Sequence, residues 1–166
     1  MKRVLVLIFA PLLFLFVTAQ PAQADSPHFV RASAELSGTN LVVSFKEAGL
    51  GTNQLTTYVA SADATATYVC VNRGGANPSA ANKTSVTEPV TATGTFPSGK
   101  NGQVTASLTI RAPGAGSFSC PPGQSLELAQ VTYSNVAITD TTNNVTESIP
   151  GTFATGCLLP NVRGAC

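Results

Sequence analysis

The chain has 166 residues, with nine lysines and arginines against eight aspartates and glutamates. That balance gives no general attraction to nucleic acid or to an anionic membrane surface. Only 10% of the residues are charged and tryptophan is absent, so solvation falls to Thr, Ser, Asn, Gln and Gly, and no indole is present to stack on a sugar ring.

Residues 1–24 read as an export signal. Lys2 and Arg3 form the charged start, an apolar run covers Val4 to Val17 around Pro11, and Ala22-Gln23-Ala24 is a small-x-small cleavage site before Asp25. The run is shorter than the ~20 apolar residues of a membrane-spanning helix, and no second one follows. The mature chain, residues 25–166, then keeps seven basic and eight acidic residues. It is expected to be secreted, without a membrane span, as a single domain large enough to hold its own core.

The mature sequence alternates short Val/Ile/Thr/Tyr/Phe-rich runs with Gly, Pro, Asn and Ser clusters, and no run keeps helical spacing. Strands are expected over Phe29–Leu36, Leu41–Glu47, Gln54–Ala60, Ala64–Val71, Thr84–Phe96 and Gln103–Ile110. In the second, Leu41, Val43 and Phe45 share one face. In the fourth, Ala66, Tyr68 and Cys70 point inward, while Thr65 and Thr67 meet water. Pro89 cannot donate a ladder bond, so its strand belongs at a sheet edge or carries a bulge. Ser125–Asp140 is too long for one flat strand. Its inward set changes phase near Ser134-Asn135, which predicts two strands or a bend. Thr141 to Asn144 is a hairpin turn before Val145–Ile149. About eight antiparallel strands predict an all-β fold, a Greek-key β-sandwich that is immunoglobulin-like in a broad sense; a closed barrel is the alternative.

Cys70, Cys120, Cys157 and Cys166 allow three pairings. The expected one is Cys70–Cys120 with Cys157–Cys166, the second because its partners are close in a Gly/Pro-containing tail. The spacings do not suit zinc, and an exported protein favours structural disulfides.

Chemistry is harder to place. His28 is the only histidine, so a Ser-His-Asp arrangement has a single candidate base, standing just ahead of the first strand. A glycosidase needs two carboxylates, and Glu47 and Glu127 are the ones to watch for a facing partner. Asp140, Asn143 and Asn144 share one turn and are a minor candidate for calcium; the same residues make turns unaided. Thr-x-Thr pairs occur at Thr65/Thr67, Thr91/Thr93, Thr93/Thr95 and Thr139/Thr141, irregularly spaced for a flat surface-binding array. A Lys–Asn isopeptide at Lys46 or Lys83 would need a buried lysine. Asn82 and Asn144 head glycosylation sequons.

Five segments, KEAGLG (Lys46 to Gly51), CVNRGGANPSAANK (Cys70 to Lys83), TGTFPSGKNGQ (Thr93 to Gln103), CPPGQ (Cys120 to Gln124) and YSNVAITDTTN (Tyr133 to Asn143), resemble in this order small exported proteins of soil bacteria, actinobacteria among them. The likeness runs through most of the mature chain as far as Phe153. It implies secretion and a β fold, and no activity. Read physically, most of these segments are loops beside strands. Lys46, Glu47, Arg73, Asn77, Asn82 and Lys83 are candidates for a polar recognition surface there; loops shaped only for turns and a disulfide are the simpler reading. The expected function is a non-enzymatic extracellular binding module for a cell-surface or other external ligand. A structural coat or matrix protein and a small carboxylate-dependent hydrolase are the alternatives.

Overall fold

The structure, a computed structural model, describes residues 26–72 and 80–166. The expected export signal and the candidate loop residues Arg73 and Asn77 lie outside them. Eight strands follow in order: β1 His28–Ser37, β2 Asn40–Ala48, β3 Leu55–Asn72, β4 Ala80–Pro97, β5 Val104–Ile110, β6 Gln124–Asp140, β7 Val145–Ile149 and β8 Phe153–Ala154. All pairings are antiparallel. One sheet has the order β1-β2-β5, the other β4-β3-β6-β7, with β8 on β6. The sheets pack face to face, and β6 returns beside β3 after β5 has crossed to the opposite sheet, which is a Greek-key return.

Period-two alternation builds the core. Leu41, Val43 and Phe45 of β2 are fully enclosed, as are Ala60, Ala64 and Ala66 of β3. The alanines leave room between the sheets for larger side chains: Phe45, Tyr58, Ile110, Tyr133 and Ile138. Val104, Leu108 and Ile110 turn inward on β5 as the alternation predicts. Pro89 sits on β4, which is an edge strand.

Two expected strands are in fact one. Gln54–Ala60 and Ala64–Val71 fuse into β3, because the break signalled by Ser61-Ala62-Asp63 is absorbed by a bulge in its neighbour. Pairing with β6 shifts register between Ser61 and Asp63. The extra β6 residue is Asn135, left-handed at φ 51°, whose amide donates to Asp63 Oδ2 at 2.8 Å. There the inward set of β6 changes from Ala129, Val131 and Tyr133 to Val136, Ile138 and Asp140, the expected bend within one strand.

Both disulfides join the expected partners. Cys70–Cys120 ties the end of β3 to the β5–β6 connection, and Cys157–Cys166 closes the tail. The tail covers a second, smaller core, where Val69, Val71 and Ala129 pack with Leu159, Val162 and Ala165. Thr155 and Leu158 bond back to Val131 and Ala129, and Ala80 N–H donates to the Arg163 carbonyl at 3.0 Å.

Candidate functional site

The candidate recognition residues do not form one surface. Asn82 and Lys83 are exposed on β4 opposite Cys70 and Val69. Lys46 and Glu47 lie where β2 meets Tyr58, at the other end of β3. Tyr58 and Cys70 stand twelve positions apart on β3, roughly 40 Å of strand. Sequence proximity of the loops does not carry over, because β2 and β4 bring those segments to opposite ends.

Glu47 corrects a further expectation. It is no surface carboxylate: it follows Leu41, Val43 and Phe45 on the inward face and is 0% exposed. Around it are Thr56, Tyr58 and Asp140, all equally buried. Phe45 and Tyr58 wall the site, ring centroids 4.5 Å apart, with Phe29 and Phe96 edge-on or tilted beyond them. Neither Glu47 oxygen finds an aligned hydrogen-bond partner, and neither do Thr56 Oγ1 and the Tyr58 hydroxyl. Burial pushes the Glu47 carboxyl up to about 7. The nearby Tyr58 hydroxyl draws it back, the neighbouring Asp140 carboxylate raises it further, and His28 lowers it slightly. Tyr58 and Asp140 are thus near enough to act on Glu47 without aligned bonds. Burial also raises Tyr58 far above the usual phenol range, with Glu47 and Asp140 adding to it.

Two carboxylates therefore converge, as a hydrolase would require. They do so inside the sandwich, with no exposed surface on either side chain. A scissile bond has no route to them in this conformation.

Asp140 has a second duty. Its Oδ1 accepts from Thr142 N–H at 2.8 Å and Asn143 N–H at 3.0 Å, and Oδ2 accepts from Asn143 Nδ2 at 2.6 Å. These are the side-chain to backbone bonds of an Asx turn, and Asn144 completes the reversal at φ 58°. Asn143 thus presents a donor to the carboxylate, and the aspartate faces the interior. Among the described residues no group of three or more His, Cys, Asp or Glu is gathered for a metal ion.

The segments that carry the resemblance turn out to be joints. Leu50 N–H donates to the Gly102 carbonyl at 3.0 Å, and Ser98 and Gln54 exchange bonds of 2.8 Å. The Ser98 hydroxyl also donates to the Gly51 carbonyl. KEAGLG and TGTFPSGKNGQ are thereby locked together. CPPGQ holds Cys120 and a turn closed by Gln124 N–H on Pro121 O. YSNVAITDTTN holds the β6 bulge and the Asx turn. Tyr68 and Tyr133 reach loop carbonyls at Pro113 and Thr39, at 2.7 and 2.8 Å; burial pushes Tyr133 up to about 12.

What the sequence spacing hid is the outer face of the larger sheet. Its strand register places Thr93, Val59, Thr139 and Thr146 in one row across four strands. The next row is Thr91, Ser61, Ala137 and Ser148. Beyond the bulge come Thr87, Thr65 and Thr132, then Ser85, Thr67 and Gln130. Hydroxyls pair across strands at 2.9–3.0 Å: Thr57 with Thr95, Thr65 with Thr87, Thr67 with Ser85, and Thr139 with Thr146. Asp63 interrupts these rows with one carboxylate, bonded to Asn135. Beside them, Asn135, Ala137, Ser148 and Pro150 help line an open groove of about 530 Å³ between β6 and β7. Thr-x-Thr spacing is irregular along the chain because the bulge and the hairpins set the register; only pairing aligns the hydroxyls.

No family model, curated protein or solved structure matches the chain.

Proposed function

We propose that the chain is a secreted, non-catalytic binding module that meets its ligand through the outer face of the five-stranded sheet. The observation that carries this is the set of hydroxyl rows: a nearly uncharged face whose side chains are held in place by cross-strand bonds. Such a surface suits an extended neutral partner rich in hydroxyl groups, such as wall polysaccharide, better than an ion or a small charged molecule. Ordered side chains lose little rotamer freedom on contact. The sealing of Glu47 and Asp140 supports the non-catalytic reading. The amino-terminal signal pattern and two disulfides support export to an oxidising compartment. Among the described residues no helix is long and apolar enough to cross a membrane. The architecture is immunoglobulin-like in the broad sense, a rigid sandwich presenting its faces and end loops.

The test is co-sedimentation of the chain from Asp25 onward with insoluble bacterial wall, chitin and cellulose, beside the double variant Thr93→Lys/Thr146→Lys. Both positions are exposed on the outer face, so the added charges leave the core alone. Retention of the parent on a polysaccharide, reduced at least tenfold in the variant, supports the proposal. Equal retention of both proteins moves the site elsewhere, and retention on nothing overturns the proposal. Ordered self-assembly in sedimentation would instead favour the structural-coat alternative.

A further inference from the structure

We propose that the buried carboxyl of Glu47 is a proton-held latch between the two sheets, closed while it is neutral and loosened once it is charged. Glu47 belongs to β2 in the small sheet, and Asp140 to β6 in the large one. Glu47 lies where β1, β2, β3 and β6 come together, and both carboxylates are fully enclosed. A carboxyl buried without an aligned partner in a low-dielectric interior cannot ionise cheaply.

The groups facing Glu47 offer only partial compensation. From β3 come the hydroxyls of Thr56 and Tyr58, which carry no charge. From β6 comes Asp140, from β1 the exposed His28, acting only weakly. The β5 residue registered against Glu47 is Val104. Among the described residues no lysine or arginine belongs to the groups acting on the carboxyl. The orphaned oxygens of Glu47 agree in geometry: no aligned donor holds a carboxylate anion there, and only the nearby Tyr58 hydroxyl eases it in part. A neutral carboxyl is a different case, because it supplies a donor of its own to a site that otherwise holds acceptors and two freely rotating hydroxyls.

The sign follows from the carboxyl's displacement from 4.5 to about 7. The folded chain binds this proton more tightly than the unfolded chain does. The latch's contribution is therefore complete below about 4.5, and it is lost as pH rises through about 7. The full displacement corresponds to roughly two orders of magnitude in the folding equilibrium. The loss is local first, since only the Glu47 end of the sandwich carries the new charge; the Cys120-stapled end of β3 does not.

Thermal melts of the oxidised protein between pH 5 and pH 8.5 test this, together with Glu47→Gln, which keeps the shape and cannot ionise. The parent is expected to lose roughly 10 °C over that interval, and the variant to stay nearly flat. Hydrogen exchange on the parent, corrected for intrinsic rates, is expected to rise with pH at residues 46–48 and 56–58 while residues 69–71 stay protected. A parent melt independent of pH overturns the latch. So does an equal loss in Glu47→Gln, or exchange that rises uniformly along β3. Should the variant fail to fold, the exchange pattern of the parent decides alone.

Discussion

Gly102 shows how a single backbone position can hold two loops. It is left-handed, at φ 65°, and a Cβ built there would stand 2.0 Å from the Leu50 carbonyl oxygen. The N–H of the same Leu50 donates to the Gly102 carbonyl, so shifting that residue away strains the bond that docks the β2–β3 loop. Gly38 is also left-handed, at φ 61°, yet has nothing within 4 Å. The two glycines therefore separate conformational strain from collision. Gly38→Ala is expected to cost about 1 kcal/mol, and Gly102→Ala roughly 3 kcal/mol or more, since strain and displacement add. Urea melts of the two variants check the difference; equal losses would show that the loops give way without cost. An Asn-Gly pair such as Asn101-Gly102 marks a turn by its own chemistry, but its contact with Leu50 is not legible in the sequence, because it joins residues about fifty positions apart. Glu47 was the more instructive miss. The alternation Leu41, Val43, Phe45 already points to it as the next inward residue, and only the general rule that carboxylates face water argued otherwise. Periodicity was the better guide there, because the neighbouring strands close over that position.

At the scale of the strand, the β6 bulge decides how β3 and β6 can both be so long. Without an extra residue, the inward set of β6 would pass to the outer face halfway along. Asn135 supplies that residue in a left-handed conformation, φ 51°, and ties itself to Asp63. Asparagine tolerates this region better than most residues, and a β-branched side chain tolerates it poorly. Asn135→Gly is therefore expected to keep the register and to lose only the 2.8 Å bond, about 1 kcal/mol. Asn135→Val is expected to cost roughly 2–3 kcal/mol, or to slip the register of β6 beyond the bulge. Denaturant melts measure the first effect, and amide chemical shifts of Val136 to Asp140 report the second. A valine variant as stable as the glycine variant would mean that the bulge does not depend on this backbone conformation. The phase change of β6 was legible in the sequence because it moves large apolar residues from odd to even positions. The fusion into β3 was not, since Ser61-Ala62-Asp63 carries ordinary turn residues and only the opposite strand reveals that no turn is made. The same logic hid the hydroxyl rows, whose regularity exists between strands rather than along them.

For the whole molecule, the two disulfides hold different things. Cys70–Cys120 spans a sequence separation of 50 and joins a core strand to the β5–β6 connection. Cys157–Cys166 spans 9 and holds the tail that covers Val69, Val71 and Ala129. On the chain-entropy account the long loop contributes roughly 4 kcal/mol and the short one under about 3. Packing sharpens this contrast, because the main core between the sheets contains none of the residues beneath the tail. Cys157→Ser/Cys166→Ser should therefore free the tail while the sandwich stays folded. Its signature is increased binding of an apolar dye with only a modest drop in melting temperature, since three buried side chains of β3 and β6 lose their cover. Cys70→Ser/Cys120→Ser should lower the melting temperature further, with dye binding appearing only as the protein unfolds. The comparison needs both variants under the same oxidising conditions. If the tail variant instead unfolded as completely as the other, the second core would belong to the same cooperative unit as the first. The small cluster under the tail would then help to set the stability of the face on which the hydroxyl rows are displayed.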